Sequence, residues 1–398
     1  MDSATFAWLL TPAGQEVLAI AANADLRAGA HLRVLEQLRR YATPAQASAA
    51  YELALVRVRA RTKFPDAERM YFTREAFEQA SGWRIAQYRS TRFAKLGHSL
   101  HLTDLCCSIG GDALALAHAG LGQIAGVDRD PLRLMMARAN AEALDLQQRL
   151  TWHEINLDQH DPPATDGLFF DPARRADGRR IFRAADYQPS LERVLVWRNG
   201  TRALGIKLAP GIDPAELSHF GPHQLEWISV DGDLKEAVLW WGAVAPTPGR
   251  MATLIQGDTI HSLEAHSDSP ATLLHEPATW LYEPDPAVLR AGAVQHLAAQ
   301  IGAAQIDREI AYLTSIEPLS TPFARRWRIL TWQPFALKRL KATLRDLDAG
   351  SVTVKKRGSP LETAALARQL SGKGSRKLVV VLTFVATRPA VLICEGPC

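Results

Sequence analysis

The sequence predicts an α/β protein built on a doubly wound, mostly parallel sheet, and three observations predict it. Residues 101–119, HLTDLCCSIGGDALALAHA, read as a short apolar strand, a tight Ile109-Gly110-Gly111 turn and a helix that stops at Gly120. From Leu100 onward, short strands and helices alternate, as they do in β-α-β crossovers. The stretches Gln224 to Val230 and Glu236 to Trp241 are separated by only five residues, Asp231 to Lys235, so they pair antiparallel.

The first part of the chain, 1–97, is expected to be helical. Leu32, Leu35 and Leu38, then Ala47, Ala50, Leu53, Ala54 and Val58, recur at helical intervals, with Pro12, Pro44 and Pro65 as breaks. Arg89 and Arg92 stand close enough to the glycine turn to cover a bound ligand. The sheet region, 98–246, follows. After the glycine turn, Gln123 to Val127 forms a second strand ending in Asp128, roughly 20 residues beyond the start of the turn, where doubly wound folds hold a ribose diol. Asp130-Pro131 opens the next helix, as cap and first residue. Leu150 to Asn156 is the third strand, Gly167 to Phe170 the fourth and Ala203 to Leu208 the fifth.

A Pro/Gly linker, Ala243 to Gly249, leads to a small α/β module over 250–322, ferredoxin-like in outline, whose clearest helix is Val288 to Ala303. The last segment, 323–398, is a compact basic α/β module. In it, Phe335 to Leu347 and Leu361 to Leu370 are helices, and Ser351 to Arg357, Leu378 to Ala386 and Ala390 to Cys394 are strands.

Composition narrows the function. With 47% hydrophobic and 22% charged residues the chain is globular, and no apolar run reaches the ~18 residues of a membrane span. The opening MDSATFAWLL puts an acid where an export signal needs positive charge, so the cytoplasm is the expected location and no membrane contact is indicated. Cysteines at 106, 107, 394 and 398 have neither zinc-site nor disulfide spacing, and the twelve histidines show no HxH or HExxH pattern, so no metal is expected. The net charge of +4 is unevenly spread: Thr321 to the end carries fifteen Lys+Arg against four Asp+Glu. Such asymmetry fits contact with a polyanion. Lys355, Lys356, Arg357, Lys373, Arg376 and Lys377, near expected loops, suit contacts to an RNA backbone.

Asp104-Leu105-Cys106-Cys107-Ser108-Ile109-Gly110-Gly111-Asp112 is similar to the first motif of trimethylguanosine-synthase-like and guanine-N2 RNA methyltransferases, and Gly126-Val127-Asp128-Arg129-Asp130-Pro131 resembles their second. Over roughly Leu100 to Ala243 the chain looks like a Rossmann-like class I S-adenosylmethionine-dependent methyltransferase core, a seven-stranded sheet with an antiparallel final strand. Over its whole length it resembles a bacterial family that joins this core to a C-terminal THUMP-like domain, with FFDPARR (Phe169 to Arg175), YEPDPAV (Tyr282 to Val288) and VKKRG (Val354 to Gly358) as hallmarks.

The resemblance implies S-adenosylmethionine as cofactor and structured RNA, tRNA or rRNA, as substrate, with no obligate protein partner indicated. It places Asp104 and Asp112 toward the cofactor's amino-acid part, Gly110 and Gly111 at close backbone approach, and Asp128 on the ribose. Cys106, Ser108 and Arg129 belong to the same two motifs, and Ser108 stands where many relatives have glycine. Asp158 falls at the adenine. Relatives acting on exocyclic amines use Asp, Asn or Ser, then Pro-Pro and an aromatic residue. Here Asp171 and Pro172 match, whereas Ala173 and Arg174 replace the second proline and the aromatic. Asp171 is thus the expected amine acceptor, and Arg174 can stack on a base through its guanidinium plane. Arg175 and Arg179 extend a basic loop suited to a phosphate-bearing substrate, and Lys207 is a lesser candidate. Cys106 and Cys107 lie in the wrong motif to be nucleophiles. The expected reaction is methyl transfer to an RNA base amine such as guanine N2. The altered Asp-Pro-Ala-Arg motif leaves open a catalytically idle S-adenosylmethionine- and RNA-binding protein, and nothing in the motifs excludes a DNA amine methyltransferase.

Overall fold

The computed structural model describes residues 1–173, 175–176, 179–180, 187–266, 268, 270–271 and 273–395, with 28, 175, 176, 179 and 180 described by backbone only. Contacts divide the chain into two units, Met1–Gln224 with Ala237–Pro248, and Leu225–Glu236 with Gly249–Cys398.

The first unit begins with the helices α1 (Ser3–Leu9), α2 (Pro12–Ala22), α3 (His31–Leu38), α4 (Pro44–Ala60), α5 (Arg74–Gln79) and α6 (Trp83–Ala94). Pro12 and Pro44 begin helices instead of merely breaking them, because Thr11 and Thr43 cap α2 and α4. Leu32 is 75% exposed, and the buried face of α3 is Val34, Leu35 and Leu38.

The core follows as β1 (Leu102–Leu105), α7 (Gly111–His118), β2 (Ile124–Asp128), α8 (Pro131–Ala143), β3 (Leu150–Glu154), β4 (Gly167–Phe170), β5 (Arg175–Ala176), β6 (Arg179–Arg180), α9 (Leu191–Trp197), β7 (Ala203–Leu208) and, after β8 (Gln224–Val230), which belongs to the second unit from Leu225 on, β9 (Asp233–Gly242). Within this unit the strands run in the order β3-β2-β1-β4-β7-β9. The first five are parallel, and β9 runs antiparallel to β7. That reversed final strand is the Rossmann-like class I arrangement. The link from β8 to β9 is tighter than the five residues expected. It is Asp231-Gly232 alone, both at positive φ (52° and 88°), the conformation that a two-residue hairpin of matching twist requires.

The second unit adds β10 (Gly249–Gln256), β11 (Thr259–Ala265), β12 (Trp280–Pro284), α10 (Pro286–Ala291), α11 (Val294–Ile301), β13 (Ala304–Gln305), β14 (Leu313–Ser315), β15 (Ala324–Pro334), α12 (Leu337–Asp346), β16 (Ala349–Lys356), α13 (Thr363–Leu370), β17 (Arg376–Val385) and β18 (Arg388–Glu395). The helix expected over Val288 to Ala303 is two, split where Gly292 takes φ 69°. Among the described residues a seven-stranded sheet has the order β13-β14-β12-β15-β18-β17-β16. The division expected at 322/323 therefore cuts through one sheet, because β15 pairs with β12 on one side and β18 on the other. Both faces of β17 are covered: Leu378, Val380 and Leu382 pack with Leu340 and Leu366, and Val379 and Val381 pack with Tyr312 and Trp327. Burial on both sides is why β17 reads as an unbroken apolar run. No described helix is long and apolar enough to cross a membrane.

Two neighbouring glycines differ in what they do. Gly110 holds φ 84°, and a Cβ there would lie 2.9 Å from the Trp152 ring; a Cβ at Gly111 would meet nothing within 4 Å. Denaturant titration is expected to show that Gly110→Ala costs at least ~1–2 kcal/mol, the left-handed penalty before the clash is added, while Gly111→Ala is close to neutral.

Candidate active site

The β1–α7 turn is shaped by backbone that side-chain-bearing residues rarely adopt. Cys106 and Ser108 take φ 61° and 51°, each costing roughly 1–2 kcal/mol. Hydrogen bonds offset this: the Cys107 N–H donates to Val127 O at 3.0 Å, and the Ser108 N–H to Asp128 Oδ2 at 2.8 Å. Asp128 Oδ1 accepts the Asp130 N–H at 3.0 Å. Each oxygen of this buried carboxylate thus has one backbone donor and a lone pair in reserve. Asp130 caps α8 through the Leu132 and Arg133 N–H groups.

Asp112 does not cap its own helix. Asp104, from β1, accepts the Ala113 N–H of α7 through Oδ2 at 2.9 Å. The Asp112 carboxylate goes to Arg89 of α6, which donates from Nε at 2.9 Å and Nη2 at 2.5 Å. Arg89 is 1% exposed and lies over the Phe169 ring, 4.9 Å from its centroid.

The β4–β7 register pairs Phe170 with Ile206, so Asp171 and Lys207 come next to each other at the strand ends. Lys207 Nζ lies 2.6 Å from Asp171 Oδ2, its side chain 3% exposed against 25% for Asp171. Pro172 is buried behind the acid.

Asp104, Asp112 and Asp171 therefore act on one another at a single strand-end rim. Burial is the largest cause of the Asp104 carboxyl lying well above the usual carboxylate range, and the Asp112 and Asp171 charges add to it. Asp112 is raised as well, chiefly by burial, with Arg89 and then Lys207 pulling the other way. Asp104 Oδ1 is buried without a hydrogen-bond partner among the described residues. Three acids against two cations leave the cluster one negative charge in excess when all are ionised.

Other expected residues fall at the edge of this group. Arg129 and Asp158 form a surface ion pair at 3.6 Å, Asp158 lying four residues beyond the end of β3. Burial pushes the Cys106 and Cys107 thiols well up, so both stay neutral and unreactive. Arg174 lies outside the described residues, and only the backbone of Arg175 and Arg179 is described, in the short β5–β6 pair.

In the second unit the basic residues are not gathered at one place. In the parallel β16–β17 register Ala349 faces Arg376 and Lys356 faces Leu382. Lys356 thus stands seven residues of extended chain, roughly 23 Å, from the level of Arg376. Lys355 is also held by Glu283, at 2.5 Å, and Arg376 by Glu395, at 3.1 Å. Lys356, Lys373 and Lys377 are exposed. The helix expected over Phe335 to Leu347 is α12, but its cations were not among the residues singled out: Leu340 and Leu344 are buried, and Lys338, Arg339 and Arg345 are exposed. Its amphipathic spacing could have revealed them.

Comparison with known proteins decides the family. The chain is 37% identical over 319 residues to an S-adenosylmethionine-dependent methyltransferase of Mycobacterium tuberculosis, covering 79% of this chain and 84% of that one. It belongs to the S-adenosylmethionine-dependent methyltransferases. A family model described as THUMP domain-like matches residues 324–396, and a domain of unknown function matches residues 2–60. The fold is also that of a crystal structure from Porphyromonas gingivalis W83 described as a candidate methyltransferase. That structure has a TM-score of 0.76 and 21% identity, covering 96% of this chain and 98% of the other.

The methyltransferase's rim fits its cofactor. S-adenosylmethionine carries a sulfonium, an ammonium and a carboxylate, one net positive charge, opposite to the excess of the cluster. The orphaned Asp104 Oδ1 is a ready acceptor for an ammonium, and the reserve lone pairs of Asp128 suit a ribose diol. Arg89 and Lys207 are the cluster's counter-ions. Neither follows from the local motif, because each comes from an element remote in sequence.

Raised carboxyl pKa values mean that, above the ordinary value of 3.8, the folded cofactor-free enzyme holds protons which the unfolded chain has lost. Its stability should therefore fall as pH rises through that region. Asp104→Asn is expected to flatten this fall and raise the melting temperature at neutral pH, while weakening cofactor binding. Thermal unfolding across pH checks it.

Proposed function

We propose that this enzyme methylates an exocyclic amine of a base in structured RNA, guanine N2 being the favoured target. The observation that carries the reading is the Asp171–Lys207 pair: one carboxylate oxygen is fixed by a buried ammonium, and the other remains to accept a hydrogen of the amine. S-adenosylmethionine supplies the electrophilic methyl group. Asp104 and Asp112 hold the cofactor's amino-acid end, Gly110 and Gly111 let the backbone approach it, and Asp128 holds its ribose. Asp171 orients the amine so that the nitrogen lone pair faces the methyl group, and Lys207 keeps the acid from swinging away. Positioning of this kind is the main source of rate when two bound reactants need only be aligned. Neutral thiols at Cys106 and Cys107 agree with direct transfer and not with a covalent cysteine adduct.

RNA as substrate is supported by the THUMP-like match and by the charge of that region. Lys338, Arg339 and Arg345 of α12, with Lys373 and Lys377, offer cations to a phosphate backbone. The end of α12 and the 373–377 loop are tied by Asp348, which accepts from Ser375 N and Oγ at 3.1 and 2.6 Å. Shape and backbone, not base edges, are read by such a surface.

Transfer of label from tritiated S-adenosylmethionine to total RNA of a strain lacking the enzyme is the test. Incorporation is expected, falling at least about a hundredfold in Asp171→Ala, a loss of ~2.7 kcal/mol of transition-state stabilisation. Asp128→Ala should abolish cofactor binding. No incorporation with intact cofactor binding would leave a binding protein without transfer, and label moving to duplex DNA would reassign the substrate.

A further inference from the structure

The second unit holds a half-enclosed cavity of about 560 Å³ that methyl transfer does not use. Its wall joins two hallmark motifs distant in sequence, Glu283 and Asp285 of YEPDPAV and Arg357 of VKKRG, to Arg325 and Arg326 at the start of β15. The two acids of the first motif are committed within the protein. Glu283 pairs with Lys355 at 2.5 Å and with Arg357 at 3.9 Å. Asp285, 9% exposed, accepts the Ala287 N–H at 2.8 Å and caps α10.

The guanidiniums retain donors. Arg326 gives one N–H to Leu319 O at 3.0 Å, and Arg357 one to Ala311 O at 3.1 Å. Arg357 rests on the Tyr312 ring and Lys355 on the Trp327 ring, which fixes both. Arg325 faces Glu283 directly in the β12–β15 register, yet Glu283 turns to Lys355, and Arg325 has no ion pair among the described residues. Its guanidinium lies over Gly232, where a Cβ would collide with it. No aromatic ring lines the cavity, so a base has nothing to stack on.

We propose that this cavity binds a phosphomonoester, the 5′-phosphate-bearing end of the RNA substrate, an inference that rests on the RNA reading above. Guanidinium N–H pairs match phosphate oxygens in plane and spacing. A monoester carries up to two negative charges, against which an unpaired arginine and two partly engaged ones are set, while the lining acids Asp231, Glu283 and Asp285 are turned to the Gly257 N–H, Lys355 and the Ala287 N–H. A recess half closed to solvent takes a chain end more readily than a strand passing through.

The test is calorimetry on the full-length protein with uridine 5′-monophosphate, and uridine as control. The monophosphate binds and uridine does not. Arg325→Gln weakens the monophosphate about tenfold, the loss expected for a charge-assisted hydrogen bond, with the melting temperature unchanged because Arg325 is exposed. Absence of monophosphate binding, or equal binding by Arg325→Gln, overturns the proposal. One single-stranded RNA sequence with a 5′-phosphate or a 5′-hydroxyl separates the two readings. Equal affinity for both RNAs removes the phosphate site and leaves the RNA substrate standing. Monophosphate binding with affinity for neither RNA keeps a phosphomonoester site and overturns RNA as its source.

Discussion

The packing of buried Asp104 and half-buried Asp112 and Asp171 against the buried cations Arg89 and Lys207 is the constraint on which the first unit depends. Charged groups so far from water are costly unless each is paired. Two of the acids have their cation at 2.5 and 2.6 Å. The third, Asp104, has the α7 backbone on one oxygen and nothing on the other. A site that leaves one carboxylate short of a partner is unstable by itself and receptive to a cation. In the function proposed above, the cofactor's ammonium is the group that completes it.

The N-terminal helices are part of this arrangement and not an appendage. Arg89 reaches Asp112 from α6, and Asn140 of α8, fully buried, ties the chain ahead of α5 to the glycine turn. Its amide accepts from the Tyr71 N–H at 2.6 Å and donates to Tyr71 O and Ile109 O. Arg133 bridges the same elements, donating to Gln79 and to Ser108 Oγ. Loosening these helices would free Asp112 of its counter-ion and let the turn relax from its left-handed backbone.

What could be read from the sequence was what is local in it. The strand, turn and helix around Gly110, the acid at the end of β2 and the Asp130 cap each depend on residues within one turn or strand, so spacing reveals them. Arg89 on Asp112 and Lys207 on Asp171 depend on how remote elements pack, and no spacing encodes that. By position alone Asp112 could serve the end of its own helix; only the fold shows that it goes to Arg89 and that Asp104 accepts the Ala113 N–H of α7. In the second unit β15 went unread because its three arginines interrupt the apolar alternation, and with it went the joint of the seven-stranded sheet. Net charge there was plain from counting, whereas its separation along β16 needed the strand register.

Proton linkage tests the completed-cluster account most directly. Near pH 6.5, below the α-amino range of about 7.7–8.0, the cofactor already carries its ammonium. An ammonium bound beside Asp104 should lower its raised carboxyl pKa and so drive protons off the protein. Titration calorimetry in buffers of different ionisation enthalpy should show release of a proton on binding by the native enzyme and none by Asp104→Asn. Heat independent of the buffer, with Asp104→Asn binding as tightly as the native enzyme, would contradict it.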